Sequence, residues 1–163
     1  MRILGLDLSS KVTGWSIIES DTEQLDGCGV ITLEKFKKKS NPLQYVKVLY
    51  DDLKSICEHF RPDVVAVEAT FFQRNIVTLK MLAKIRGIAE IACLNFGVKD
   101  IQEFNASHAR KTVFNEGNLT SEKIYDKLKP TYGEAIYNDG YDITDSLVLA
   151  KCMAKKLKEN LTD

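Results

Sequence analysis

The first 33 residues of the chain contain three apolar, β-branched stretches that are separated by short polar turns. Residues 2–8, 12–19 and 26–33 each have the length and composition of a strand. Turns of hairpin length join neighbouring antiparallel strands, so these residues are predicted to form a three-stranded meander. The chain therefore needs a fold that is built around a sheet.

After this meander, strands are predicted to alternate with helices. The run DVVAVE at residues 63–68 is typical of a buried strand, and VKDIQEF at 98–104 predicts a fifth strand. Pro42 favours a helix start and Gly97 a helix C-cap, whereas Pro130 and Gly133 are assigned to a loop. Helices are predicted at about 41–60, 76–96, 107–115, 121–129 and 142–159. This order of elements predicts an α/β domain.

Length and composition are those of an ordinary globular protein. The 163 residues are 44% hydrophobic and 28% charged, which predicts one domain over residues 1–163. Neither a transmembrane run nor a signal-peptide pattern is found, so a cytoplasmic protein is expected. The four cysteines lack CxxC spacing and are expected to be free, mostly buried thiols. Basic and acidic residues balance at 23 each, so nucleic-acid binding would require a local basic patch.

Single carboxylates end two of the most apolar predicted strands. Asp7 follows the first apolar run and Glu68 follows the fourth, and ligands of open α/β sheets bind beyond such strand ends. In the last predicted helix, Asp142 and Asp145 are spaced i, i+3 and share one face of the first turn.

These acids also have a purely structural interpretation. An Asp at a strand end often forms a turn, and an Asp in a first helical turn interacts with the helix dipole; taken singly, this is favoured for Asp142. Four acids at one place would repel one another unless divalent cations neutralised them, and hard cations such as Mg²⁺ prefer carboxylate oxygens. The set predicts a metal site suited to phosphodiester chemistry.

Three segments resemble the acidic motifs of the RuvC Holliday-junction resolvases, within the ribonuclease H-like superfamily. They are GLDLSSKVTGWSII (5–18), VVAVEATFF (64–72) and DITDSLVLA (142–150), and the resemblance spans nearly the whole chain. It implies a mixed five-stranded sheet flanked by helices, in which two parallel strands extend the antiparallel meander. It also implies a metal-dependent endonuclease whose two Mg²⁺ ions, replaceable by Mn²⁺, are bound by Asp7, Glu68, Asp142 and Asp145.

The resemblance further implies a homodimer, formed through the helix at about 76–96, that resolves four-way junctions by symmetric nicks and acts on other branched DNA. In the family, an aromatic residue stacks near the junction centre, and Phe71 matches it. A position in the buried core is an equal alternative for Phe71. Basic residues that assist catalysis are matched by Arg110, Lys111 and Lys123. Other candidates for phosphate contacts are Arg74, Lys80, Lys84, Arg86 and the segment EKFKKKS at 34–40, which is otherwise a solvated loop. His108 is a weaker candidate for the site.

One motif departs from the usual family pattern. Where the first motif commonly reads Asp-Pro-Gly, this chain has Asp7-Leu8-Ser9. This resembles divergent phage-type or viral members more than bacterial ones, and the cytoplasm of the host would be the location of a phage-encoded protein.

Other functions are also compatible with the sequence. A catalytically inactive, junction-binding relative is one, although nothing in folding alone requires four such acids. An RNA-processing nuclease of the same fold is another. An actin-like nucleotide-binding domain is less favoured, because the chain lacks a second lobe and a Gly-rich adenosine loop. Ser9 and Ser10 lack the pattern of a covalent nucleophile.

Overall fold

The computed structural model describes residues 1–33, 43–69 and 76–160. Within these ranges a sheet contains five strands, in the order β3-β2-β1-β4-β5. The β1–β2 and β2–β3 pairs are antiparallel, whereas β1–β4 and β4–β5 are parallel. The strands are β1 (Arg2–Asp7), β2 (Val12–Glu19), β3 (Leu25–Thr32), β4 (Val64–Glu68) and β5 (Asp100–Phe104). The mixed five-stranded sheet predicted above is confirmed.

Helices cover both faces of this sheet. They are α1 (Gln44–Phe60), α2 (Ile76–Asn95), α3 (Ala106–Phe114), α4 (Ser121–Tyr132) and α5 (Asp142–Asn160), with a 3₁₀ turn at Gly133–Ile136. Because side chains alternate along a strand, Leu4 and Leu6 pack with α1 and α2, whereas Ile3 packs with α3, α4 and α5. No helix in the described ranges is long and apolar enough to cross a membrane.

Two glycines allow α5 to lie directly on the sheet. A β-carbon at Gly5 would come within 2.0 Å of the carbonyl oxygen of Ser146, and one at Gly14 within 2.0 Å of the carbonyl oxygen of Asp142. Any side chain at these positions would push the helix away. The backbone contact therefore fixes where the first two turns of α5 lie over β1 and β2.

The predicted elements are present, with boundaries that differ by a few residues. Gly97 has φ +97°, as expected for the end of α2, and three of the four free cysteines are buried. The assignment of Pro130 to a loop is wrong, because α4 continues through Pro130 to Tyr132. Pro130 lies in the last turn, where its missing N–H removes a single bond. The predicted helix start at Asn41-Pro42 lies outside the described residues.

Candidate active site

Asp7 and Glu68 end two neighbouring central strands at the same edge of the sheet. Asp7 is the last residue of β1 and Glu68 is the last residue of β4. The two strands run parallel with Leu6 opposite Val67, so the residue that follows on each strand is an acid. The carboxyl ends of parallel strands are the usual place for a ligand site in such sheets.

The first turn of α5 brings Asp142 and Asp145 to the same edge. Gly14 pairs with Asp7 across β1 and β2, and the backbone of Asp142 lies against Gly14. The helix acids therefore lie next to the strand acids. Ser9 has a different role: its Oγ accepts hydrogen bonds from the N–H groups of Lys11 and Val12 and closes the β1–β2 turn.

The acids strongly affect one another. Burial is the largest cause that raises the pKa of Asp7 to about 8, and the charges of Asp145, Glu68 and Asp142 add to it. Burial likewise raises the pKa of Glu68, with a further contribution from Asp145. Arg110 opposes both increases. In the absence of a cation, the site thus disfavours the ionised forms of Asp7 and Glu68.

The carboxylate of Asp145 has two partners from other helices. Ser121 Oγ donates a hydrogen bond of 2.7 Å to Oδ2, and the guanidinium of Arg110 lies 3.5 Å from Oδ1. Burial raises the pKa of Asp145, whereas these two partners lower it. The sequence points to Arg110 but not to Ser121, because nothing in it links the start of α4 to a residue 24 positions further on.

The donor set at this edge fits divalent metal. Four carboxylates supply hard oxygen ligands, and their burial and mutual repulsion are relieved when a cation binds between them. No group of three or more His, Cys, Asp or Glu side chains in the described ranges is already arranged as a metal-binding cluster.

The other predicted site residues are placed as follows. Lys80 and Lys84 are exposed on α2, and Lys111 and Lys123 are exposed on α3 and α4. Of the described basic residues, Arg110 forms an ion pair with one of the four acids. Arg86 does not fit the prediction of a phosphate contact, because its side chain is nearly buried between carboxylates.

Further predicted residues lie outside the site or outside the described residues. His108 lines a cleft with Thr112 and Cys152, and none of the four acids lines that cleft. Phe71, Arg74 and the segment 34–40 lie outside the described residues.

Comparisons with known proteins assign a family to this arrangement. Residues 3–152 match the family model for crossover junction endodeoxyribonuclease RuvC. The RuvC of Chloroflexus aurantiacus is 29% identical over 154 residues, which cover 94% of this chain and 93% of that protein. A Thermus thermophilus RuvC structure has a TM-score of 0.81 at 17% identity, covering 98% of this chain and 97% of the other.

A second T. thermophilus RuvC structure, a complex with a Holliday junction substrate, has a TM-score of 0.80 at 17% identity over 98% and 96% of the two chains. The relatives named here are the RuvC proteins of Chloroflexus aurantiacus and T. thermophilus, and they do not support the phage origin that Asp7-Leu8-Ser9 suggested. The chain belongs to the RuvC family of crossover junction endodeoxyribonucleases.

Proposed function

We propose that this chain is a cytoplasmic, structure-specific DNA endonuclease that resolves Holliday junctions and acts on other branched DNA. The observation that carries the proposal is the convergence of Asp7, Glu68, Asp142 and Asp145 at one sheet edge, in a chain of the RuvC family. Four interacting carboxylates serve no evident purpose in folding, because each is costly to bury without a cation.

Asp7, Glu68, Asp142 and Asp145 would hold two Mg²⁺ ions, and Mn²⁺ would substitute for them. When bound, the two cations would activate a water molecule for attack on a phosphodiester and stabilise the leaving oxygen. Asp7 carries a proton on its carboxyl group at neutral pH, since its pKa is about 8. That proton has to leave before both carboxylate oxygens of Asp7 can act as ligands.

Arg110 and Ser121 are proposed to hold Asp145 in place. The two groups contact different oxygens of the carboxylate, which restricts its rotation. The positive charge of Arg110 also favours the ionised forms of Asp7 and Glu68. The side chain of Arg110 is a quarter exposed, and a guanidinium is well suited to bind a phosphate that enters the site.

The wider DNA-binding surface is proposed from exposed basic residues. Lys111 and Lys123 lie on α3 and α4, the helices that also carry Arg110 and Ser121. Lys80 and Lys84 lie on the exposed side of α2. Contacts of these lysines with phosphates would supply salt-dependent affinity without sequence preference. Phe71 and Arg74 remain proposed DNA contacts.

A homodimer through α2 is part of the proposal. One face of the helix packs on the sheet through Ile85, Ala89 and Cys93. Another face exposes large apolar side chains near both ends of the helix, namely Ile76, Val77, Ile91 and Leu94. Between them, Gly87 leaves open space that would permit close approach of a second helix. A dimer would place two sites for paired nicks on opposite strands of a junction.

Cleavage of a labelled synthetic four-way junction, with and without Mg²⁺, tests this function. Wild type should make paired, metal-dependent nicks, whereas Asp7→Asn and Glu68→Gln should bind the junction without cutting it. Asp100→Asn is the matched control, since Asp100 is an exposed acid at the opposite end of β5 and should leave cleavage unchanged.

The same experiment distinguishes the alternatives. Junction binding by wild type without nicking in Mg²⁺ or Mn²⁺ would identify an inactive relative. Preferential cleavage of structured RNA would identify an RNA-processing nuclease instead.

A further inference from the structure

Arg86 connects α2 to the sheet edge where Glu68 lies. Its Nε is 2.6 Å from Glu90 Oε1 on the same helix, and one Nη is 2.8 Å from Glu103 Oε1 on β5. Its other Nη donates to the backbone carbonyl oxygen of Glu68 at 3.5 Å, the long end of the hydrogen-bonding range. One guanidinium thus contacts acceptors on α2, β4 and β5.

These contacts surround the end of β4 at the candidate site. Glu103 pairs with Val67 in the β4–β5 register, and Phe104 pairs with Glu68. The N–H of Ala69 donates to the carbonyl of Phe104 at 2.9 Å, so the strand pairing continues just past Glu68. Arg86 adds a third element to this pairing, since it holds both strand ends against α2.

Stability alone is a weak reason for such an arrangement. The Arg86 side chain is only 11% exposed, whereas those of Glu90 and Glu103 are 41% and 56% exposed. Pairs with such exposed acids contribute little to stability, while bringing a guanidinium out of water is costly. The planar fork of an arginine, however, can serve three acceptors in fixed directions, which a lysine cannot.

The packing around Arg86 also leads to the candidate site. Arg86 lines a narrow apolar cleft together with Leu6, Leu8 and Val67. Leu6 and Leu8 flank Asp7, and Val67 precedes Glu68. Arg86 therefore shares a cleft with residues next to both acids that end the strands.

We infer that Arg86 is a positioning residue, which fixes the backbone of Glu68 and thereby the direction in which its carboxylate meets the metal. The inference rests on the proposed function, since it assigns Arg86 to the support of that same metal site. Partners in the second layer around a metal commonly affect its affinity or the activity by roughly 10- to 100-fold.

The test compares wild type with Arg86→Gln, Arg86→Lys and the control Lys151→Gln. Lys151 is a matched control because its side chain is 14% exposed and is paired with Glu23, and it contacts none of the four acids in the described ion pairs and hydrogen bonds. Three quantities are measured for the full chain: the Mg²⁺ concentration that gives half of the metal-induced rise in Tm, the rate of junction nicking, and junction affinity in EDTA.

Arg86→Gln should raise the half-saturating Mg²⁺ concentration by about 10-fold or more and slow nicking at subsaturating Mg²⁺, with junction affinity in EDTA unchanged. Lys151→Gln should lower the Tm of the metal-free protein but leave the Mg²⁺ midpoint within about twofold of wild type. Arg86→Lys should give an intermediate midpoint, because a lysine keeps the charge but cannot reach all three acceptors. If Arg86→Gln does not fold, the Mg²⁺ midpoint of Arg86→Lys tests the role of Arg86 instead.

A Mg²⁺ midpoint for folded Arg86→Gln within about twofold of wild type would overturn the inference and leave the proposed function intact. A midpoint for Arg86→Lys equal to that of wild type would overturn it in the same way. A wild-type protein with neither a Mg²⁺-induced rise in Tm nor nicking would overturn the proposed function itself.

Discussion

A β-carbon on Gly14 would lie 2.0 Å from the carbonyl oxygen of Asp142, far inside any possible contact distance. Gly14 is also the residue that pairs with Asp7 across β1 and β2. The missing side chain at position 14 therefore sets the separation between the strand acid and the first turn of α5. The candidate site depends on this backbone contact as much as on the acids themselves.

Gly14→Ala should displace the start of α5 and impair both folding stability and metal binding. Overpacking of this kind lowers the free energy of unfolding by roughly 1–3 kcal/mol. The displacement of Asp142 should in addition weaken Mg²⁺ binding. Gly87→Ala is the control for α5: within one chain nothing lies within 4 Å of its added β-carbon, so it should leave the Mg²⁺ midpoint unchanged and affect stability only through the proposed α2 contact between subunits. Urea unfolding and a Mg²⁺ titration of Tm measure both effects, and wild-type stability for Gly14→Ala would contradict this account.

The positions of the acids could be predicted from the sequence, but their supporting contacts could not. Asp7 and Glu68 end apolar runs, and the i, i+3 spacing of Asp142 and Asp145 places them on one helical face, so local pattern gave each acid its element. The grouping of the helix acids with the strand acids rested on the family resemblance instead. Ser121 and Glu103 contact residues on other elements, 24 and 17 positions away from them in the chain. Such pairings are decided by tertiary packing, as is the continuation of α4 through Pro130.

Asp7→Asn should stabilise the metal-free protein at pH 8. The folded pKa of Asp7 is raised from 3.8 to about 8, so the folded state keeps a proton that the unfolded state has lost. Wild type therefore loses stability as pH rises from about 4 to 8, and the neutral Asn avoids that loss. We expect a gain of several kcal/mol at pH 8, with an upper limit of about 6 kcal/mol for a pKa that rises from 3.8 to about 8, and the gain should shrink towards zero near pH 4; urea unfolding in EDTA measures it. Equal free energies of unfolding for wild type and Asp7→Asn at pH 8 would contradict the raised pKa of Asp7.

Glu23→Gln should have the opposite effect, which makes it the control for Asp7→Asn. Burial raises the pKa of Glu23, but Lys151 and Lys158 outweigh burial and leave it lowered. The stability that Glu23 contributes is therefore present above its unfolded pKa of about 4.5 and is lost as pH falls through the lower folded pKa. The variant should be less stable than wild type at pH 7, and the difference should shrink on acidification. A stabilising effect at pH 7 would show that the ion pairs of Glu23 do not offset its burial.

Mg²⁺ should bind more tightly as pH rises towards 8. Binding requires the ionised form of Asp7, so it releases the proton that this group holds below its pKa of about 8. The half-saturating Mg²⁺ concentration should fall by up to about tenfold per pH unit between pH 6 and 8 and level off above that range. Calorimetry in two buffers of different ionisation enthalpy counts the released proton. The same Mg²⁺ affinity at pH 6 and pH 8 would show that Mg²⁺ binding does not release a proton from Asp7.

Ser121→Ala should weaken metal binding without unfolding the chain. The hydroxyl of Ser121 donates to Asp145 and lowers its pKa, so its loss frees one carboxylate oxygen and raises that pKa. An increase of about tenfold in half-saturating Mg²⁺ is expected, from the usual effect of such outer partners. Ser55→Ala on α1 removes an exposed serine whose hydroxyl bonds to the carbonyl of Asp51, and it should change nothing at the site. Equal Mg²⁺ midpoints for Ser121→Ala and Ser55→Ala would show that Ser121 does not support metal binding.

Ile91→Glu should break the proposed dimer. Ile91 is 51% exposed on the face of α2 that also exposes Leu94, so a dimer through α2 would bring two introduced carboxylates into an apolar contact. Light scattering after size exclusion should report a monomer for Ile91→Glu and a dimer for wild type. Val30→Glu, on edge strand β3, also replaces an exposed apolar residue and should remain dimeric. In a junction assay, the Ile91→Glu monomer should give single, uncoordinated nicks, because each site then acts alone on one strand. A stable Ile91→Glu dimer would mean that the subunits associate through another surface.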